Sequence, residues 1–213
     1  MQFGPTYSAR HVLGDGTAVT LRLVQPTDRD EFARQFRRMS PDSRYRRFFS
    51  GITDLSPEML DYLTVVDGYD HFAIVANTES LDMKEEDGVG VARFVRLSGE
   101  PQVAEPAVTV VDDHQGRGIG RLLLTTLVEA ARERDVKAFR GEVLVSNEPM
   151  RKLLDAAGVR GRDSSEGTII FDVPIEAPGG SSPARSVLSA VATSMAVWLS
   201  RLYPSLRSTH RRS

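Results

Sequence analysis

Thr17–Val24 (TAVTLRLV) alternates apolar or β-branched residues with polar ones, the period of a half-buried strand. Thr27 then offers an N-cap hydroxyl with Asp30 three residues on, and a helix is predicted to about Met39. Ser40-Pro41-Asp42 and Ser56-Pro57-Glu58 each combine a capping hydroxyl, a first-turn proline and an acid near the positive helix end. They predict helices over roughly 41–49 and 57–66. Three strand-like runs follow: 72–76 (FAIVA), 89–95 (VGVARFV) and 103–111 (VAEPAVTVV). Lys84-Glu85-Glu86-Asp87-Gly88 between the first two reads as a solvated hairpin connection. Pro106 cannot donate to a ladder, so it requires an edge, a strand start or a bulge.

Helical spacing returns with Ile119, Leu123, Leu127 and Ala130, within a helix predicted over 118–134. A strand over 139–145, a helix from an Asn147 cap to Gly158 and a strand over 168–173 complete the pattern. Consecutive strands pair antiparallel, while the 118–134 crossover lets the next strand run parallel to its predecessor. The expected fold is mixed α/β (α+β): a mostly antiparallel central sheet of six or seven strands flanked by helices, over residues 16–175. Residues 1–15, polar and Gly-rich, read as an N-terminal extension. Residues 176–184 read as a flexible linker from their Gly, Pro and Ser content. A C-terminal amphipathic helix is predicted over 185–203, with Val187, Val191, Met195, Trp198 and Leu202 on one face, followed by a basic tail at 204–213.

Composition narrows the class. The 213 residues carry 27 Lys plus Arg against 29 Asp plus Glu, a net charge of −2, which argues against a generic nucleic-acid binder. The sum hides a split: residues 176–213 carry +4 and residues 1–175 carry −6. Without cysteine there is no disulfide, thiolate metal site or Cys nucleophile. The histidines (His11, His71, His114, His210) have no metal-ligand spacing, so no metal is expected. Met1–Arg10 has no basic-then-apolar leader, and the uncharged run Ser186–Ser200 is short for a membrane span; the expected location is cytoplasmic.

The chemistry concentrates in Gln115-Gly116-Arg117-Gly118-Ile119-Gly120, after a strand and at a helix start. Unpaired N–H groups and a partial positive charge at a helix N-terminus hold an anion, and glycines let phosphate oxygens approach the backbone. A P-loop is excluded because Arg121-Leu122 follows Gly120 where Lys-Ser/Thr belongs. A Rossmann fingerprint is excluded because Arg121 replaces its last glycine and antiparallel strands precede it.

Gln115-x-x-Gly118-x-Gly120 matches the Gln/Arg-x-x-Gly-x-Gly/Ala motif of the GNAT N-acetyltransferases, and over roughly 18–175 the chain resembles that family in element order too. The longer string Val110–Leu123, with Ser40–Phe49, is similar to its bacterial protein-lysine acetyltransferase branch. The resemblance implies acetyl-CoA as co-substrate. Its pyrophosphate would sit on backbone N–H groups of Gln115, Gly116, Arg117, Gly118, Ile119, Gly120 and Arg121. Its pantetheine arm would pair with Val110 and Val111, with Asn147 as a further contact or a plain helix cap. A break beside Pro106 would admit the arm, and an N–H of Val110 or Val111 would polarise the thioester carbonyl. Glu105, ten residues before Gln115, stands where many members carry their general base; a solvent-facing acid at a strand start is the other reading. The tyrosine that many members place seven residues after the asparagine is here Leu154.

Arg34, Arg37, Arg38, Arg44, Arg46 and Arg47 crowd the early helices, either as a solvated face among acids or as an anion-recognising surface. The expected activity is acetyl transfer from acetyl-CoA to an amine, a protein lysine, by direct attack in a ternary complex. A small-amine acetyltransferase and a non-catalytic acyl-CoA-binding module are the alternatives. The 185–203 helix is expected to dock on its own domain, self-associate, meet a partner or touch a membrane surface.

Overall fold

In the computed structural model, residues 2–40, 53–79, 86–145, 148–163 and 167–175 are described. β1 (Ser8–Val12) and β2 (Ala18–Leu23) form a hairpin closed at Gly16, whose φ of 85° suits glycine. A single 3-10 turn, Pro26–Asp28, leads into α1 (Arg29–Arg38), so the α-helix starts two residues after the expected cap at Thr27. Asp28 explains the entry: it is buried, takes two bonds from Arg22 of β2 (2.7 and 2.9 Å) and accepts the Gln25 N–H at 2.8 Å. α2 (Pro57–Thr64) opens as expected, with the Ser56 hydroxyl accepting from the Met59 N–H at 3.3 Å.

β3 (His71–Glu79), β4 (Glu86–Leu97) and β5 (Glu100–Val110) form an antiparallel meander. A 3-10 turn, Asp112–His114, and a glycine loop then open α3 (Ile119–Glu133). β6 (Ala138–Leu144), α4 (Glu148–Ala156), β7 (Gly161–Asp163) and β8 (Thr168–Pro174) follow. The sheet order is β1-β2-β3-β4-β5-β6-β8-β7, antiparallel throughout except for the parallel β5/β6 pair that the α3 crossover creates.

One face of the sheet is buried by α3. Ile119, Leu123, Leu127 and Ala130 are at most 1% exposed and pack on Leu21, Ile74, Phe94 and Phe139. Each buried Leu, Ile or Phe among them contributes about 1.5–3 kcal/mol. Gly90 permits the close approach: a Cβ there would lie 2.9 Å from Leu123 Cδ1 and 3.0 Å from the Thr109 carbonyl. The opposite face is covered by α1 and α2, whose Phe36, Met59 and Leu63 form a second cluster with Leu55 and Met39, the C-cap of α1.

The C-terminus of α3 is sealed. The Asp135 and Val136 N–H groups return to the Arg132 and Ala131 carbonyls (3.0 Å each), with Asp135 at a φ of 64°. Arg134, 2% exposed, donates to the carbonyls of Gly68 (2.6 Å), Ala130 (3.0 Å) and Phe3 (2.7 Å) and lies 4.3 Å above the Phe72 ring.

Three expectations change. The sheet has eight strands rather than six or seven. One of the added strands is β1, so the stretch expected as an extension pairs with the sheet and buries Phe3 in its core. The other is β7, three exposed residues paired only with β8. Asp87 and Gly88 belong to β4 instead of a solvated connection. The helix expected at 41–49, Asn147, the linker at 176–184, the helix at 185–203 and the tail at 204–213 lie outside the described residues. Among the described residues no helix is long and apolar enough to cross a membrane.

Candidate active site

The site is organised by strand β5, whose two edges do different work. Val111 donates its N–H to the Val89 carbonyl at 3.0 Å, so odd-numbered residues of β5 direct their ladder groups toward β4. Even-numbered residues face β6, as the Gln102 carbonyl does in accepting from the Lys137 N–H at 2.8 Å. Pairing with β6 is confined to Val103↔Ala138 and Ala104↔Phe139. Beyond Ala104 the two strands fork. Pro106 stands at the fork with its missing N–H on the open side, while its register with Phe94 of β4 is unbroken. The break expected beside Pro106 is therefore a separation of two strands and no bulge. Val108 and Val110 direct their backbone groups into the fork.

This geometry divides the expected pair at the strand end. The Val111 N–H is spent on Val89, and its carbonyl accepts from the His114 N–H at 3.0 Å. Both of its ladder groups are thus engaged within the protein, away from the fork. Val108 and Val110 face the fork, the Val110 carbonyl there accepting from Gln115 Nε2 at 3.1 Å. Val108 escaped sequence reading because only the loss of the β6 neighbour distinguishes it from any other strand valine.

The loop after β5 is held by its own side chains. Gln115 Nε2 donates to the Val110 carbonyl (3.1 Å) and to Asp112 Oδ1 (2.9 Å), folding the chain back on the strand end. Gly116 and Gly118 have φ of 75° and 94°, which explains glycine at both. Gly118 is the N-cap of α3 and supplies no capping side chain. The first intrahelical bond at this end runs from the Leu122 N–H to the Gly118 carbonyl at 3.0 Å, so the N–H groups of Ile119, Gly120 and Arg121 lack intrahelical partners. At Gly120 a Cβ would lie 3.6 Å from Val110 Cγ2, an ordinary contact. Packing within the protein therefore does not require glycine there, whereas an anion lying against the helix end requires a small residue. A diphosphate fits this cradle.

The side chains of the loop have other partners. Arg117 donates through Nε to Asp15 Oδ2 at 2.8 Å, and it also bonds Thr17 Oγ1 and His114, 3.3 Å away at Nδ1. Ile119 is a core residue, 1% exposed, and Arg121 is exposed. Arg117 and Ile119 can thus serve an anion through the backbone alone.

Glu105 is 7% exposed and sits within β5 opposite Val95, which removes the reading of a solvent-facing acid at a strand start. By strand alternation its side chain shares the sheet face of Thr109 and Val111, opposite α3. On that face a cleft open to solvent lies beneath α1. Its walls include Phe32 and Phe36 of α1 with the capping Met39, Leu63 of α2, Thr109 of β5 and Val111 just after it. Among the described residues, the cleft oxygens Gln35 Oε1 and Thr109 Oγ1 are buried without a hydrogen-bond partner. Leu154 is 3% exposed and belongs to the core.

The arginine crowd resolves into ion pairs. Arg34 pairs with Glu31, Arg37 with Asp54 at 2.8 Å, and Arg38 with Asp87 (2.8 Å) and Asp113 (2.7 Å); Arg44, Arg46 and Arg47 lie outside the described residues. Arg38 beside Asp113 holds that carboxyl below the usual carboxylate range against its desolvation. His71 is buried beside Arg93 (3.1 Å), and desolvation followed by that guanidinium's charge pushes its pKa down to about 3. Among the described residues no three His, Cys, Asp or Glu side chains are grouped to hold a metal.

Comparison with known proteins agrees with this geometry. Residues 32–159 match the family model described as the acetyltransferase (GNAT) family. Acetyltransferase PA5475 of Pseudomonas aeruginosa is 34% identical over 164 residues, 75% of this chain and 84% of that protein. Acetyltransferase Pat of Mycolicibacterium smegmatis is 36% identical over 155 residues; the match takes in 73% of this chain but 45% of Pat. The crystal structure of the GNAT domain of S. lividans PAT superposes with a TM-score of 0.64 at 28% identity, covering 78% of this chain and 96% of that one.

Proposed function

The chain belongs to the acetyltransferase (GNAT) family, and on that premise we propose that it moves the acetyl group of acetyl-CoA onto a protein lysine. The observation that carries the reading is the fork between β5 and β6, set directly before a helix N-terminus that has no side-chain cap. Acetyl-CoA supplies an activated thioester. The protein is left to position two reactants, remove a proton from the amine and polarise the carbonyl.

The backbone of Gln115–Arg121 would hold the diphosphate, and Val108 and Val110 would pair with the pantetheine arm as a neighbouring strand does. Of the two N–H groups in the fork, that of Val108 is nearer Glu105, three residues or about 10 Å along the strand, and would polarise the carbonyl. A lysine amine has a pKa of about 10.4 and must lose a proton before attack. Glu105 would take it, directly or through water, before attack; the C–N bond would then form, the C–S bond break, and the second proton of the nitrogen pass to water. The departing thiolate would be protonated by water, since Leu154 occupies the usual place of a tyrosine. The apolar walls of the cleft suit the lysine methylenes, and the two unpartnered oxygens suit N–H donors on the acceptor. The supply of acetyl-CoA makes the cytoplasm the expected location.

Labelled acetyl-CoA mixed with the protein and a cell lysate tests the acceptor. Labelled protein supports lysine transfer, a labelled small molecule supports a small-amine acceptor, and bound cofactor without transfer marks a binding module. Glu105→Gln should bind acetyl-CoA normally and lose about 10²–10⁴-fold in kcat. Turnover at the wild-type rate would remove Glu105 as the base.

A further inference from the structure

One side of helix α1 carries a polar seam that reaches the cofactor loop. Glu31, Gln35 and Arg38, at helical spacing i, i+4, i+7, share this seam. Glu31 Oε1 accepts the Gly88 N–H at 3.1 Å, and Gly88 is suited to this contact because a Cβ would lie 2.9 Å from that oxygen. Gln35 Nε2 donates to Asp87 Oδ1 at 3.0 Å. Arg38 NH1 reaches both oxygens of Asp87 (2.8 and 2.9 Å), while its NH2 crosses to Asp113 Oδ2 at 2.7 Å. One residue past the helix cap, the Ser40 N–H donates to Asp112 Oδ2 at 2.6 Å. The other oxygen of Asp112 accepts from Gln115, which in turn donates to the Val110 carbonyl. A continuous chain of bonds therefore runs from the helix that walls the cleft to the strand end and loop of the cofactor cradle.

We propose that Arg38 is a positioning residue for acetyl transfer, fixing the 112–121 loop relative to α1 by holding Asp87 and Asp113 on one guanidinium. The inference rests on the proposed function for its catalytic consequence, while the bridge itself is structural. Two carboxylates repel when they converge, and a planar guanidinium satisfies both where a single ammonium bonds them less completely. Helix α1 and the loop therefore move together, so the acceptor wall and the diphosphate cradle keep a set spacing. An isolated exposed ion pair contributes little to stability, and the expected signature is accordingly in geometry instead of folding.

The test uses three variants of the full chain: Arg38→Gln, Arg38→Lys and Asp113→Asn, with Arg37→Gln as a control that removes an ion pair from the same helix. Hydrogen exchange without ligand reads the bridge. Amides of 112–121 should exchange faster in Arg38→Gln and Asp113→Asn, with α3 interior amides unchanged and Arg37→Gln like wild type. Titration with acetyl-CoA should show about 10-fold weaker binding in Arg38→Gln, with Arg38→Lys intermediate. A defined lysine peptide as probe should show a drop in kcat beyond any rise in the peptide's KM. The double variant Arg38→Gln/Asp113→Asn should be no worse than Arg38→Gln alone. Wild-type loop exchange in Arg38→Gln, an equal effect of Arg37→Gln, or simple additivity of the two single variants would overturn the proposal. Should the wild-type protein bind no acetyl-CoA, the functional reading fails, while the exchange experiment still decides the bridge.

Discussion

The two ends of α3 are built by opposite rules. At the C-terminus every device for closing a helix is present: the returning Asp135 and Val136 N–H groups, the left-handed Asp135, and a buried arginine on three carbonyls. At the N-terminus the cap is Gly118, which has no side chain to offer, and the N–H groups of Ile119, Gly120 and Arg121 lack intrahelical partners. The left-handed backbone at that position, with a φ of 94°, disfavours the serine, threonine or aspartate that commonly caps a helix. The same helix thus closes one end with backbone and side-chain bonds and leaves the other without a side-chain cap, the end that the proposed function assigns to the diphosphate.

The comparison can be broken in four places. Arg134→Ala should cost the most, about 3 kcal/mol in denaturant unfolding, because it leaves buried carbonyls of Phe3 and Gly68 without a donor. Acetyl-CoA affinity of the fraction that remains folded should be unchanged; a parallel loss of affinity would show that the ends are not separable.

Acid should strike the closed end next, because the Gly68 N–H donates to the His71 carbonyl beneath Arg134. The His71 pKa is pushed down to about 3, below the ordinary value of about 6.5, so the unfolded chain binds the proton first. Its contribution is present above pH ~6.5 and is lost as pH falls toward 3, about 2 kcal/mol by pH 5. His71→Gln should flatten the pH dependence of Tm in that window.

At the open end, Gly120→Val should leave Tm within a few degrees yet weaken acetyl-CoA binding at least about 10-fold, since its branches fill the cradle. Gly120→Ala should be tolerated, its methyl in ordinary contact with Val110. Asp135→Gly should have the smallest effect, a gain of about 0.5–1 kcal/mol from relief of the left-handed backbone, with no change in affinity. A loss of stability would show that the Lys137–Asp135 pair outweighs that strain.

What could be read from the chain alone divides along a similar line. The glycine loop was legible because its chemistry is local: a strand, Gln115, two glycines in left-handed conformations and a helix lie within six residues. The antiparallel meander and parallel crossover were legible because hydrophobic period and connection length determine them. Strand β1 was not, since SARHV buries no residue fully and alternates only between half-buried and exposed. The partners of the arginines were equally hidden. Arg38 meets Asp87 and Asp113 across 49 and 75 residues, and Arg134 meets Phe3 across 131, separations at which no spacing rule operates. Glu105 could be singled out as an acid in an apolar run, but its burial depends on elements that cover β5 from elsewhere in the sequence.

Pro106 carries a consequence for the solution behaviour of the protein. The fork gives the interior of the sheet an unpaired edge, the feature through which sheets recruit stray strands from other molecules. The N–H groups of Val108 and Val110 and the carbonyl of Val108 would template such an addition whenever no ligand covers them. A proline at the root of the fork removes the donor that a stray strand would meet on pairing up to the fork, and strand addition is blocked from extending through that rung. The residue that lets the sheet open thereby guards the opened edge against aggregation.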